Sequence, residues 1–497
     1  MMRYCGYSEY FHDAGLAFVT EDGEIDFASH AERFSRKKND SVMPASMWKL
    51  LQKDDHITFY EDHSLRRKRF IDQDGNLLPV DRIPVQHQFV MTDSLDYDDF
   101  IPHHVSHAAI GYYTRPWEST EDTVILTIDG VGEWQSMGIF DHNLKELERW
   151  DTPLSLGILY TQVTKVLGLR SLEDEYVTMG MAAYGDPVFG EDFVEFFENL
   201  KAMKEAKPWA VETKPLKDFV RRAARVRINP KTGKPGCSDP DLAASVQYFA
   251  EKVLMDLAKK CSKYGKKLVV SGGCAQNIVA MSMIKESGLF EDMWIAVAPT
   301  DAGSALGAAA YQYCKQTGEN KIKWKDAYLG TDMGCTINPK EVVNHLLEHE
   351  YCGIASGRAE YGPRALGNRS LIADVRRDVK DTVNRIKRRQ EYRPFAPAIL
   401  EEFASEYFEG PMNEYMQYQS IAKHDYKSVT HVDGTARVQV VKKDCTSIFR
   451  KIIEEYYERT GVPMLLNTSL NIRGMPIVDK HKDAKQFSDL YNVPVFT

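Results

Sequence analysis

Two stretches of the chain follow one plan, and that repetition restricts the fold more than any other feature. Arg3–Ser8 reads as a strand and enters a turn carrying His12-Asp13-Ala14-Gly15. Leu16–Thr20 returns as a strand, and the Glu21-Asp22-Gly23 turn leads to a third, Glu24–Ala28. The plan recurs as Thr123–Asp129, Gly130-Val131-Gly132, Gln135–Phe140, a turn at Asp141-His142-Asn143, and Leu144–Trp150. A strand meander with an Asp/Gly first turn, twice followed by helical sequence, predicts a duplicated α/β domain.

Folds of the actin and sugar-kinase type are built this way, with nucleotide phosphates held between the two tight turns. Two later strands fit that plan. Lys267–Ser271 runs into Gly272-Gly273-Cys274-Ala275-Gln276-Asn277, and Met293–Ala298 into Pro299-Thr300-Asp301-Ala302-Gly303-Ser304 and a small-residue helix, Ala305–Tyr313. Ligands of such sheets bind at the carboxyl ends of strands, where glycine lets backbone approach a phosphate. Gly130, Gly132, Gly272, Gly273 and Asn277 are therefore candidate nucleotide-binding positions.

Pro102-His103-His104-Val105-Ser106-His107 places three of the chain's 14 histidines within five positions. His103 and His107 share one face if the segment is helical, and such a pair can grip a transition metal. Spacing alone leaves open a helix start whose histidines cap, pack or face solvent.

The chain has 497 residues, enough for two or three domains, and 43% hydrophobic against 27% charged residues is ordinary for a globular protein. No signal-peptide core opens the sequence, and no apolar run reaches membrane-spanning length. The cysteines at 5, 237, 261, 274, 314, 335, 352 and 445 form no CxxC pair, which fits reduced thiols and a cytoplasmic location with no membrane partner. A net charge of −9 does not advertise polyanion binding, yet Lys201 to Lys234 holds 11 Lys/Arg against Glu205, Glu212 and Asp218. That segment and Arg66-Arg67-Lys68-Arg69 are either solvated faces or contacts for a polyanionic acceptor.

The pattern weakens near Gly330, Gly334 and Pro339, which predicts domains at 1–340 and 341–497. The second contains Gly357-Arg358-Ala359-Glu360-Tyr361-Gly362-Pro363-Arg364-Ala365-Leu366-Gly367-Asn368-Arg369-Ser370. Three arginines among glycines are read as an anion cradle, because guanidinium forks bind phosphate bidentately. Lys387, Arg388, Arg389, Arg393 and Arg437 are further basic candidates.

Nearly end to end, the sequence resembles the O-carbamoyltransferases of nodulation-factor, aminoglycoside and cephalosporin biosynthesis. The resemblance rests on FHDAGLAF (11–18), AERFSRKK (31–38), HHVSHAA (103–109), LTIDGVGEW (126–134), MGMAAYG (179–185) and SGGCAQN (271–277). It continues through PTDAGSALGAA (299–309), AEYGPRALGNRS (359–370), YRPFAPAIL (392–400), DGTARVQ (433–439) and VPMLLNTSLNIRG (462–474). It implies an actin-like N-terminal domain of the threonylcarbamoyl-transfer type and a C-terminal α+β domain like the threonylcarbamoyl-adenylate synthases.

The family's metal ligands carry over to His103, His107, Asp129 and Asp301, with iron(II) the usual metal; zinc and manganese suit the same donors. His104 is expected to be structural. The family's reaction uses carbamoyl phosphate and ATP, with Mg2+ accompanying ATP, through a carbamoyl-adenylate. For phosphate charge the candidates are Arg358, Arg364, Arg369, Arg393 and Arg437, with Asn467, Thr468 and Ser469 as hydrogen-bonding partners. Lys38 joins the nucleotide-binding set, and His12 is the candidate general base, oriented by Asp13. Val177 stands where relatives have lysine and Met475 where they have glutamate, and both departures bear on the acceptor and on C-terminal closure. The acceptor expected is 5-hydroxymethylcytosine in DNA, as for phage-type relatives, with a small-molecule sugar or antibiotic hydroxyl as the alternative. A homodimer is left open. The rival readings are an actin-like kinase, a nucleotide-gated scaffold and tRNA threonylcarbamoylation.

Overall fold

A computed structural model describes residues 2–68, 70, 97–206, 218–222 and 238–497. Both meanders form. In the first sheet β1 (Arg3–Ser8), β2 (Gly15–Thr20) and β3 (Ile25–His30) run antiparallel. There β4 (His56–Phe59) joins parallel to β1, with β5 (Asp99–Phe100) at the edge. In the second, β6 (Thr123–Gly132), β7 (Gln135–Phe140) and β8 (Glu146–Asp151) make the meander. The parallel strands β9 (Lys267–Ser271) and β10 (Asp292–Ile295) extend it beyond β6. The orders are β3-β2-β1-β4-β5 and β10-β9-β6-β7-β8. Counted from the third strand of each meander, both read three-two-one-four-five. The duplication lies in topology and barely in sequence.

A third sheet has six strands, in the order Gln439–Val441, Ala396–Leu400, Met464–Ser469, Arg369–Ala373, Tyr351–Ala355 and Val495–Phe496. Its side chains alternate between two apolar cores, as a strand's period of two requires. Leu371, Ile399, Met464 and Leu466 face one core, and Ile372, Ala398, Leu400 and Leu465 the other. This is the α/β organisation expected.

By packing, the chain divides into two compact units. One comprises Met1–Tyr60, Asp96–Asp99 and Asp301–Thr497, the other Glu61–Leu95 and Phe100–Thr300. The first meander, the helix Asp301–Thr317 and the six-stranded sheet thus share the first unit, a grouping that cuts across a simple 1–340 and 341–497 division. Small residues explain part of it. A side chain at Gly6 would overlap the backbone of Ala305, and one at Gly15 would lie 2.6 Å from the Ala302 carbonyl, so the alanine-rich helix beds directly on β1 and β2. Among the described residues, no helix is long and apolar enough to cross a membrane. Most of the basic segment 201–234 lies outside the described residues.

Candidate active site

In the second unit the helix His103–Tyr113 begins at Pro102, which sets its first turn and buries all three histidines. His107 Nε2 lies 3.1 Å from His103 Nε2, and Asp129 Oδ2, on β6, lies 3.4 Å from the latter and 4.0 Å from the former. Two nitrogens each about 2.1 Å from one metal stand roughly 3 Å apart at a right angle, so the separation suits shared coordination. These three residues offer donor atoms all within 4.8 Å of one another, which is the fit a divalent first-row metal needs. Burial alone would raise the Asp129 carboxyl. The His103 hydrogen bond and the charges of His107 and His103 instead hold it well below the usual carboxylate range. Its other oxygen accepts from Gly273 N at 3.0 Å. The carboxylate is kept ionised and aimed.

His104 belongs to the core. Its Nε2 meets the Gln135 carbonyl at 3.1 Å and must carry the proton, while Nδ1 meets the Thr127 hydroxyl at 2.8 Å. Burial, then the neighbouring His103 and His107, push it well below the ordinary imidazole value.

The glycines divide by purpose. A side chain at Gly132 would overlap the His103 ring, and one at Gly272 (φ +93°) would overlap Ile128 backbone, so both serve packing. Gly273 gives its N–H to Asp129. Gly130 has nothing within 4 Å of a side-chain position and leaves an open face beside the Asp129 carboxylate. Asn277 is turned inward, exchanging hydrogen bonds with the Gln247 amide and capping the following helix through Ala280 N.

In the first unit His12 Nε2 lies 3.7 Å from Asp301 Oδ2. Asp301 is 1% exposed and starts its helix, peptide-bonded to Thr300, the last residue of the other unit. Asp13, expected to orient His12, bonds His30 Nδ1 through Oδ1 at 3.0 Å. His30 Nε2 in turn accepts from Gly362 N at 3.2 Å. Burial would raise the Asp13 carboxyl, but His30 beside it, then His12 and Lys38, hold it below its ordinary value. Lys38 Nζ pairs with Glu32 at 2.8 Å.

The arginine-rich loop cradles an anion, and the anion is its own. Glu360 Oε1 accepts from the backbone N–H groups of Leu366, Asn368 and Arg369 at 2.7, 2.8 and 3.1 Å. Arg369 is fully buried and donates to five carbonyls, those of Asp479, Ser356, Asn368, Thr331 and Gly357. A guanidinium has five N–H groups, so none is left for phosphate. Arg358 likewise donates to the Gly330, Asp26 and Leu329 carbonyls. Arg369 thus departs from the phosphate-facing role expected, because carbonyls left by the tight loop take all its donors; the bonds of half-buried Arg358 use Nε and Nη2 only. Arg364, Arg393 and Arg437 are half-buried and keep partial access to solvent.

Gly367 explains the loop's glycine content in a second way. Its φ is +123°, and a side chain there would overlap the Phe449 ring. Gly367→Ala is expected to cost about 2–4 kcal/mol, overpacking and backbone strain together, seen as a lowered urea midpoint at unchanged slope.

Asn467 lies on the central strand Met464–Ser469, opposite Ile372 and Ala396. Its Nδ2 donates to the Ala365 carbonyl and Gln439 Oε1, at 3.1 and 2.6 Å, while its buried Oδ1 has no partner among the described residues. Thr468 and Ser469 follow, half-buried. Lys387 Nζ is buried against Ser469 and the Asn471 carbonyl and Oδ1, the latter two at 3.0 Å. Burial first, then Arg389 and Arg393, push its ammonium well below the ordinary lysine value. Sequence reasoning ranked Lys387 as one of several basic residues and gave Glu360 and His30 no role. Glu360 stood in plain view, the one acid among the loop's arginines.

Family models describe two parts of the chain: carbamoyltransferase N-terminus matches residues 82–310, and carbamoyltransferase C-terminus residues 343–496. Nodulation protein NolNO of Sinorhizobium fredii is 31% identical over 532 residues, covering 96% of this chain and 76% of that one. Nodulation protein NolO of Bradyrhizobium diazoefficiens is 33% identical, covering 77% and 75%. Nodulation protein U of Azorhizobium caulinodans is 35% identical over 260 residues, covering 48% and 46%. The crystal structure of HypF from T. kodakarensis aligns with a TM-score of 0.34 at 14% identity, covering 64% of this chain and 48% of that one, too loosely to carry an argument.

Proposed function

Because the chain belongs to the carbamoyltransferase family, we propose that it carbamoylates a hydroxyl acceptor in two steps, through a carbamoyl-adenylate made from carbamoyl phosphate and ATP. Transfer of a carbamoyl group to oxygen is the family's activity; the route, the residues and the acceptor are our reading. In the first step carbamoyl phosphate loses inorganic phosphate to water. The freed carbamate oxygen attacks the α-phosphorus of ATP, and pyrophosphate leaves. In the second the acceptor oxygen attacks the carbamoyl carbon, and AMP leaves.

The observation that carries the first step is Asn467 Oδ1, a buried acceptor with no partner among the described residues. A carbamoyl –NH2 can only donate, and burying an unmet acceptor is costly unless a ligand completes it. We assign Arg364, Arg393 and Arg437 to the phosphates, with Thr468 and Ser469 as hydroxyl donors beside them. Arg358 and Arg369 hold the loop that presents Arg364.

For the second step we assign His103, His107 and Asp129 as metal ligands and Asp301 as the fourth. The metal is iron(II) by resemblance, and when bound it supplies Lewis-acid polarisation. Gly130 offers the open backbone face for the nucleotide. His12 takes the proton from the acceptor hydroxyl, since a neutral imidazole is a competent base near neutral pH. Asp301, at 3.7 Å, stabilises the imidazolium that results.

Purified protein with carbamoyl phosphate, ATP and Fe2+ should release pyrophosphate, and AMP once a hydroxyl acceptor is added; release of ADP would make it a kinase. Arg364→Ala should abolish carbamoyl-phosphate-dependent pyrophosphate release, and His12→Ala should keep that release but form no product. Normal adenylate formation by Arg364→Ala would overturn the assignment of the loop.

For the acceptor we propose 5-hydroxymethylcytosine in DNA, supported by the basic run Lys201–Lys234, whose 11 cations face three acids. Arg66 gives no such support, because it is buried and paired with Glu61. Duplex DNA carrying 5-hydroxymethylcytosine should gain the mass of one carbamoyl group per modified base. An unchanged mass, with turnover of an aminosugar, would assign the small-molecule branch.

A further inference from the structure

The metal site assigned above has a buried support that the basic sequence Arg66-Arg67-Lys68-Arg69 conceals. Arg66 ends no surface patch. It lies on the helix His63–Lys68 with its side chain fully buried, in an ion pair with the equally buried Glu61. Glu61 Oε2 lies 3.8 Å from His103 Nδ1. The other nitrogen of that ring, Nε2, faces His107 and Asp129.

We propose that Glu61, held by Arg66, is a positioning residue that fixes the ring orientation and tautomer of His103, an inference that rests on the metal reading of the site. An imidazole that gives its Nε2 lone pair to a metal carries its single proton on Nδ1. That N–H is buried and needs an acceptor, and ligating histidines commonly find one in a carboxylate. The gap of 3.8 Å closes to a hydrogen bond with a side-chain movement of roughly 1 Å.

The surroundings favour that closure. Glu133 Oε1 accepts from both Asp62 N, at 2.8 Å, and His103 N, at 3.1 Å. One carboxylate therefore clamps the backbone next to Glu61 to the first residue of the metal-binding helix. Gly132 leaves room for the His103 ring and for nothing larger. Arg66, buried beside Glu61 and paired with it, supplies the opposite charge that a buried carboxylate needs.

The test uses Co2+ alone as the probe, on full-length protein stripped by chelation. Affinity is read by competition with a chromophoric chelator, and geometry by the cobalt d–d bands. Wild type should bind one Co2+, and His107→Ala should lose it. Glu61→Gln keeps the shape but removes the charge, and should weaken Co2+ about 10–100-fold and move the d–d bands. If Glu61→Gln does not fold, Glu61→Asp is read instead, since it keeps a partner for Arg66 while withdrawing the carboxylate from Nδ1, and it should show the same weakening. Wild-type affinity with unshifted bands in a folded variant overturns the inference and leaves the metal site standing. Failure of wild type to bind Co2+ overturns the metal reading itself.

Discussion

The His103→Ala, His107→Ala double variant is expected to fold, to bind no divalent metal at this site, and to lose carbamoyl transfer by roughly 10³-fold or more. The size follows from the several kcal/mol that a Lewis acid contributes to a developing oxyanion, at 1.36 kcal/mol per factor of ten. Folding should survive because Asp129 keeps its hydrogen bond from Gly273 N and the helix His103–Tyr113 keeps its apolar seat of Ala108, Ala109 and Ile110. Metal analysis and a product assay on one preparation check it. Pyrophosphate release should persist in the same variant, since Asn467 and Arg364 are untouched. Full metal occupancy with full activity would remove the site from the mechanism.

Glu360→Ala is expected to be the most destabilising single change in the C-terminal segment, at about 3–5 kcal/mol, with a fall in thermal midpoint to match. Three backbone N–H groups lose their common acceptor at once, and Arg369, which Glu360 helps keep charged in a buried place, loses a counter-charge. Glu360→Gln should recover part of the loss, because an amide oxygen can still accept although it carries no charge. Denaturant unfolding of the three proteins orders them. Equal stability of wild type and Glu360→Ala would show that the loop does not depend on its internal anion.

Much of the fold was legible in the sequence. Each meander announces itself by short strand-forming runs separated by turns, the first an Asp/Gly turn, and these are local signals that tertiary packing did not override. The six-stranded sheet was not legible strand by strand. Two of its members, Val495–Phe496 and Gln439–Val441, are too short to show a period and are fixed by neighbours far away in sequence.

At the site, spacing yielded the His103 and His107 pair because a helix turn brings such residues together. Asp129 and Asp301 came from resemblance alone, since no local pattern joins residues so distant in the chain. The arginines were the harder case. Composition says that Arg358, Arg364 and Arg369 sit among glycines, but not which guanidinium points outward. Arg369 turned inward to satisfy five carbonyls, Arg358 spends Nε and Nη2 on three others, and the glycine at 367 admits a phenylalanine ring. Arg66 misled for the same reason: a run of basic residues looks solvated until the carboxylate beneath it is known.

The bond from Gly362 N to His30 Nε2, and from His30 Nδ1 to Asp13, has a consequence for movement. Within one unit it ties the turn that presents His12 to the loop that presents Arg364, through a single imidazole whose proton can sit only on the Asp13 side. No hinge can open between those two segments without breaking a buried hydrogen bond at one end of that ring. On the route proposed here, any opening between the His12 turn and the 359–370 loop has to give up this link first.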